Sequence, residues 1–551
     1  MRQSHSYNRQ SGLGLILFFM ALLLTGTTFI VYNLPNNTNQ IKAQSKTNQA
    51  LIEAKQALLS YAVSHYYRTN NAGAIQNGFF AYLPCPEATA VAAGEGNQAN
   101  NCDAQQFNAL GRLPWKSLNI SPLKDSSGQC LWYAVSAAYK QNPKLMHNID
   151  SVGMFDIYDE SGNKLNGNLP ENRIAAVIIA PGSSLSTQSR PSAVKGQECI
   201  YPQDLVQAAD FLDNTAGIDN ASLSNTPDKI DSFAGLTTGN SRPNFNDRLI
   251  TITQAEIFNA INALPGAVIT TELNTLGNSL TLCLVNYSLL ANEQLSTSFL
   301  NDNIASLTPL EIANLNADYL ICNTTHNNCI NPGTDAFTCE SERLTCRQAA
   351  RDTHISSIVI NDFFHLPWPA PVDLSNAATD DDYRNSNNYS DQVNLRSGRF
   401  PLDISNSNAA IGLFPVANNI FQNCAMSNPN NTQRRLWENW KDQIFLVIAP
   451  EFEPGAGPTP AAAACLQCPL NDGVTARASI LIANNINLGL NQLRRDNDLE
   501  PTAYPLNTLK GSVANYLEGN NLTSFNTFPA GARTFINGAP SNDILISVPI
   551  P

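Results

Sequence analysis

Cysteine offers the most chemistry in this sequence. The chain has twelve cysteines, and all of them follow an uncharged apolar segment near the N-terminus. An even number of cysteines behind an export signal favours disulfides formed in an oxidising compartment. Cys85 and Cys102 enclose a stretch rich in Gly, Ala and Asn and are the first predicted pair. Four cysteines within residues 322–346 predict a disulfide-stapled loop, whereas the remaining pairings do not follow from the sequence.

One cysteine pair has a spacing that suits other chemistry. Cys465-Leu-Gln-Cys468 is a CxxC motif, which occurs in redox centres and in zinc sites. No second CxxC and no nearby histidine complete a zinc site, and the flexible stretch PGAGPTPAAAA precedes the motif. A structural disulfide is therefore the favoured interpretation.

An acidic cluster is the candidate cation site. Asp380, Asp381 and Asp382 are followed by amide side chains and by Asp391. Calcium takes six to eight oxygen ligands, which carboxylate and amide groups on a loop supply. The spacing does not match an EF-hand, so a solvated acidic loop is the competing interpretation. No other cofactor is expected.

The remaining candidate residues do not form a recognisable catalytic motif. The six histidines form neither an HExxH nor an HxH pattern, and no G-x-S-x-G, P-loop or dinucleotide-binding fingerprint occurs. A Ser-His-Asp triad stays open because its members need not be neighbours in sequence. The sequence predicts that the protein is not an enzyme.

Composition limits the classes of partner. The 551 residues include 32 basic and 45 acidic side chains, which gives a net charge of −13. A general nucleic-acid binder needs a basic face, so this class is excluded. The length suggests two to four domains at about 150 residues each. The hydrophobic fraction of 43% is ample for folded cores.

The N-terminus carries the strongest signal. Residues 1–12 are polar and contain two arginines, and residues 13–32 carry no charge. Such a run can cross a bilayer core of about 30 Å as a helix, and the charge distribution favours a cytoplasmic leader. A cleaved secretory signal and a plain signal anchor are two interpretations. An amphipathic helix is predicted from about Gln40 to Tyr67.

The junction between leader and apolar segment resembles that of type IV prepilins. Arg9-Gln-Ser-Gly12 is followed directly by Leu13. The resemblance implies that prepilin peptidase cleaves after Gly12 and methylates the new amine of Leu13, and that the helix kinks near Pro35. Pilins carry a glutamate at the fifth mature position, where this chain has Leu17. That departure resembles the large minor pseudopilin of type II secretion and some minor pilins.

Further motifs extend the resemblance over residues 9–265. LPCP at 83–86, GRLPW at 111–115, LWYAVS at 131–136, AAVIIAPG at 175–182 and FNDRLITIT at 245–253 follow the helix in this order. The set looks like a family of proteobacterial prepilin-like proteins without an assigned role. The family implies an exported, membrane-tethered protein.

The second half of the chain contains motifs similar to those of the first half. Leu366-Pro-Trp368 is similar to Leu113-Pro-Trp115, and FLVIAP at 445–450 is similar to VIIAP at 177–181. A diverged internal duplication explains these pairs, and chance similarity of strands flanked by proline explains them equally well.

We therefore expect an α+β protein with a long, kinked, transmembrane pilin-like helix and a large, disulfide-stapled α+β head. The predicted divisions are a leader (1–12), the helix (13–70), a first head domain (71–280), a Cys-rich connection (281–350) and a second head domain (351–551). The expected function is a pilin-like or pseudopilin-like filament subunit held in the inner membrane before assembly. Its expected partners are the inner membrane, prepilin peptidase and other pilin subunits. A tethered surface adhesin and a periplasmic hydrolase are the alternatives.

Overall fold

The structure is a computed structural model. It describes residues 40–65, 78–87, 96–144, 146–168, 172–191, 199, 207–215, 217–224, 226, 229–237, 244–264, 268–303, 308–330, 336–354, 364–374, 383–412, 419–456, 465–483, 510–537 and 543–550.

The architecture is α+β, as the sequence predicts, but the expected transmembrane helix is not borne out. The first described helix, α1, covers residues 40–64. None of the described helices combines the length and the apolar character needed to cross a membrane. The predicted single-pass helix and the inner-membrane location inferred from it therefore do not stand. Residues 13–32 and Pro35, on which they were placed, lie outside the described residues.

A six-stranded sheet forms the centre of the first half. Its order is β1-β2-β4-β3-β7, with β8 on the other side of β4. The central strand β4 is entirely buried, as its run of apolar residues predicts. The strands of this half are β1 (Ala109–Arg112), β2 (Trp132–Val135), β3 (Phe155–Asp159), β4 (Ile174–Ala180), β5 (Asn214–Thr215), β6 (Ile218–Asp219), β7 (Asp231–Gly235) and β8 (Arg248–Thr253).

Helix α1 packs on one face of this sheet. Its buried residues Leu51, Ala54 and Leu58 recur at helical spacing and share a core with Tyr133 and Ile178. Because side chains alternate along a strand, the neighbouring residues of the sheet face a second core on the opposite side. The sheet is therefore covered on both faces.

A second, four-stranded sheet lies in the other half of the chain, in the order β15-β13-β10-β9. A short three-stranded sheet of β12, β11 and β14 accompanies it. The strands are β9 (Ser397–Arg399), β10 (Ile444–Ile448), β11 (Leu470–Asn471), β12 (Val474–Thr475), β13 (Ala478–Ile482), β14 (Thr534–Phe535) and β15 (Ile544–Val548).

The two main sheets share one order of strands. In each, a segment that adjoins Leu-Pro-Trp pairs antiparallel with the next strand, β2 or β9; the segment precedes the motif in the first half and follows it, as a single bridge at Ala370, in the second. That strand pairs antiparallel with a central strand, β4 or β10, which leads into Ala-Pro. The central strand pairs on its other side with a strand, β8 or β13, that begins at or just after an arginine. An internal duplication would produce this arrangement.

Helices connect and cover the sheets. Helix α3 lies against β13 and β15, and α4 and α5 form a helical hairpin. A disulfide-stapled loop was expected in this region. The staple is present as Cys322–Cys346, but the two cysteines lie on helices, so the expected loop was wrong. The remaining helices are α2 (Gln254–Asn262), α3 (Val268–Asn303), α4 (Pro309–Ile330), α5 (Ala336–His354), α6 (Ser405–Ala410), α7 (Thr432–Trp440) and α8 (Gly519–Thr527).

Disulfides link these elements, which confirms the predicted disulfide stabilisation. One of them joins α3 to the segment before α7 across 141 residues, and another clamps α4 to α5. The described disulfides are Cys85–Cys102, Cys130–Cys199, Cys283–Cys424, Cys322–Cys346 and Cys465–Cys468.

Candidate functional site

A cleft of about 1010 Å³ opens between β8 and the connection from β3 to β4. The cleft forms because β8 and β3 pair with β4 over different lengths. β8 follows β4 along its whole length, whereas β3 pairs with β4 only through Phe155 and Ile174. Among the described strands, β8 pairs only with β4, so its other edge faces the cleft.

Apolar side chains form much of the cleft wall. Ile157 and Ile174 contribute from one side, and Leu249 and Phe258 contribute from the other. Leu165 stands at the rim with 51% of its surface exposed. Binding here would bury apolar surface, which favours ligands with an apolar part.

The polar groups in the cleft are uncharged. Asn166, Asn172, Gln254 and Asn259 supply amides, and none of the lining side chains carries a charge. Asn166 is fixed in place, because its Oδ1 accepts the Ile157 N–H at 2.9 Å and its Nδ2 donates to the Asn172 carbonyl at 3.0 Å. The site therefore suits a neutral ligand that can exchange hydrogen bonds with amides.

Helix α2 begins at the edge of the cleft and ties it to α1. Thr253 caps α2, because its Oγ1 accepts the Glu256 N–H while Glu256 accepts the Thr253 N–H at 2.9 Å. Glu256 also forms an ion pair with Lys55 of α1. Burial alone would raise the pKa of Glu256, but the hydrogen bonds from Lys55 and Thr253 outweigh it and lower the pKa.

The buried histidine next to the cleft is not arranged for catalysis. His147 lies among the rings of Tyr82, Tyr139 and Phe258, with centroids 4.5 to 5.8 Å away. Neither ring nitrogen has a hydrogen-bond partner among the described residues. Burial lowers the pKa of His147 to about 3, so the ring is neutral at physiological pH.

The predicted site residues have different outcomes. Gly12, Leu13 and the acidic cluster Asp380, Asp381 and Asp382 lie outside the described residues. Asp391, which the calcium hypothesis included, is described and buried. Its carboxylate accepts the N–H groups of Asn406 and Ser407 at the start of α6, so its oxygens already serve that helix.

The structure also brings together residues that the sequence does not connect. Glu451 lies beside Cys465 and Cys468, with a carboxylate oxygen and both sulfurs within 4.8 Å of one another. Asp213 and Asp247 form a buried carboxyl pair, in which each backbone N–H donates to the other residue's carboxylate. No spacing in the sequence marks either group, because both arise from tertiary packing.

No protein-family model, curated protein or solved structure matches this chain.

Proposed function

We propose that the chain is an exported structural subunit of the pilin-like kind that assembles with neighbours through α1. One observation carries the proposal: α1 has two exposed isoleucines on the side that faces away from the sheet. Ile41 and Ile52 are 66% and 48% exposed and eleven residues apart, which places them on one face of the helix. Exposed apolar side chains on a packed helix suit contact with another subunit.

Substitution of the two isoleucines tests the assembly role. In the full-length protein, we expect Ile41→Glu combined with Ile52→Glu to weaken self-association by about tenfold or more, because two apolar side chains leave the interface. Sedimentation at several protein concentrations measures the effect. Ser60→Glu is the matched control, because Ser60 is exposed about a quarter turn away on the same helix. Equal association of all three proteins would contradict the proposal.

Processing of the N-terminus provides an independent test. The prepilin-like junction predicts a mature chain that begins with methylated Leu13 after cleavage at Gly12. Mass spectrometry of the protein isolated from its native host measures this end directly. A chain that begins at Met1, or one cleaved after residue 25, would contradict the pilin-like assignment.

The cleft favours a second candidate function, a binding protein for neutral ligands. Its apolar walls and amide groups suit an uncharged glycan or an extended neutral peptide. Calorimetry with a panel of neutral oligosaccharides and peptides tests this role on the full chain. Thr251→Trp fills the cleft and should abolish any binding found. Binding that survives this substitution would place the ligand elsewhere.

A further inference from the structure

The Cys465–Cys468 disulfide differs from the other described disulfides in its short span and in the carboxylate that lies beside it. It joins residues only three positions apart, on the approach to β11. Cys468 is 1% exposed and belongs to the main core, whereas Cys465 is half-buried and Leu466 is 79% exposed. Cys465 is therefore the more accessible member of the pair, an asymmetry that Cys322–Cys346 shares.

A carboxylate lies beside the two sulfurs. Glu451 belongs to the short helix Pro450–Phe452, which follows β10. Its Oε1 accepts the Gln467 N–H at 3.0 Å, while its Oε2 is buried without a hydrogen-bond partner among the described residues. A carboxylate oxygen within 4.8 Å of both sulfurs is placed to exchange a proton with a thiol.

Two contacts hold the dipeptide between the cysteines. Glu451 binds the N–H of Gln467, and the guanidinium of Arg533 donates to the Leu466 carbonyl. Both partners come from elsewhere in the fold, so they hold the loop whether or not the sulfurs are bonded to each other. Reduction therefore disturbs little of the surrounding structure, which favours reversible opening of this disulfide.

We propose that Cys465 and Cys468 are a redox-active pair that exchanges with dithiols of exported proteins. A substrate thiol attacks Sγ of Cys465, the Cys465–Cys468 bond breaks, and a mixed disulfide forms. The thiol proton passes through Glu451 to the departing sulfur of Cys468. The second substrate thiol then attacks its own sulfur in the mixed disulfide and releases Cys465, which takes up the second proton through water. Two electrons and two protons move from substrate to protein.

This activity goes beyond the proposed structural role and does not depend on it. The assembly of subunits uses α1, whereas the redox pair lies in the second half of the chain. Loss of self-association in the α1 variants therefore leaves the exchange reaction measurable.

Selective reduction tests the proposal without any substitution. The folded full-length protein is equilibrated with a series of dithiothreitol ratios, alkylated and mapped by peptide mass spectrometry. We expect Cys465 and Cys468 to become reduced at a reduced-to-oxidised ratio at least about tenfold lower than the buried pairs Cys85–Cys102 and Cys130–Cys199. Reduction of all three pairs at the same ratio, or of Cys465–Cys468 last, would overturn the proposal.

The role of Glu451 is tested by the pH dependence of exchange. We expect Glu451→Gln to slow reaction with dithiothreitol by about tenfold near pH 6 and much less near pH 9, where thiolates form unaided. Glu453→Gln is the matched control, because Glu453 pairs with Arg396 and does not contact the sulfurs. An unchanged profile for Glu451→Gln would show that the carboxylate does not act in exchange.

Discussion

At the residue scale, the neutral His147 links the stability of the protein to pH. Its pKa is about 3 in the folded chain, against 6.5 for an exposed histidine. Below pH 6.5 the unfolded chain gains a proton that the folded chain does not bind, so the free energy of unfolding falls as the pH falls. This loss continues until the pH reaches the folded value.

Removal of the titrating ring should therefore remove this acid sensitivity. His147→Phe fits a site made of aromatic rings and leaves no hydrogen-bond partner unsatisfied. We expect the loss of stability between pH 7 and pH 5 to be about 2 kcal/mol smaller in the variant than in the wild type. Urea denaturation at both pH values measures the difference. His354→Gln, in the helical hairpin, is the control, and equal losses in wild type and His147→Phe would refute the argument.

The buried carboxyl pair of Asp213 and Asp247 links stability to pH in the opposite direction to His147. Burial, followed by the charge of Asp213, raises the pKa of Asp247 well above its usual value. Asn220 donates to the Asp247 carboxyl, and Arg190 reduces the shift without cancelling it. The stability that protonated Asp247 contributes is complete below its unfolded pKa and is lost as the pH rises through its folded pKa.

Asp247→Asn should keep the contacts of the protonated form at every pH. We expect the variant to match the wild type near pH 4 and to be more stable by about 1 to 3 kcal/mol at pH 8, because no buried charge forms there. Thermal unfolding at the two pH values provides the measurement. Asp219→Asn, at a half-buried aspartate in β6, serves as the control. A variant less stable than the wild type at pH 8 would contradict the expectation that ionised Asp247 destabilises the folded chain.

At the element scale, a glycine lets α3 approach the second sheet. A Cβ at Gly277 would lie 2.5 Å from Cγ1 of Ile546 on β15, closer than packed carbons approach. Alanine is favoured over glycine within a helix by about 1 kcal/mol. The clash opposes that gain, and overpacking costs about 1 to 3 kcal/mol.

We therefore expect Gly277→Ala to lower the free energy of unfolding by about 1 kcal/mol, despite its better helix propensity. Asn278→Ala, at an exposed position on the same helix, should instead be neutral or slightly stabilising. Ile546→Ala removes the clashing Cγ1 atom, so it should cost less stability when added to Gly277→Ala than when made in the wild type. Chemical denaturation of these variants measures the effects, and a stabilised Gly277→Ala would show that α3 can move away.

Elements with strong local patterns could be predicted from sequence. The helical spacing of apolar residues predicts α1, and a β-branched run predicts the buried strand β4. A strand that ends at a capping threonine predicts β8 followed by α2. The α4–α5 hairpin was missed because its Asn and Thr content resembles a loop. Thr308 and Glu311 form a capping box there, which was the available signal. The cleft and Glu451 depend on pairings between distant segments, which no local pattern encodes.

At the scale of the whole molecule, the two halves meet in a buried polar contact. The Oδ1 of Asn439, at the end of α7, accepts hydrogen bonds from the backbone N–H of His147 at 2.9 Å and from the Tyr82 hydroxyl at 3.2 Å. Asn148 donates to the Asn439 carbonyl and to Asp442, each at 2.8 Å. Residues from both halves also share the main apolar core. The halves should therefore unfold together.

Asn439→Ala tests this coupling. The substitution removes the side-chain oxygen that accepts from the His147 backbone N–H and the Tyr82 hydroxyl, which should cost about 2 to 4 kcal/mol. Because this cost weakens the contact between the halves, the free energies of local opening should become different in the two halves. Hydrogen exchange with mass spectrometry, followed in peptides that cover β4 and β10, measures the two energies in one experiment. Asn430→Ala, at an exposed position before α7, should leave both unchanged. If β4 and β10 exchange with equal energies in Asn439→Ala, the shared apolar core alone couples the halves, and the polar contact only adds to their common stability.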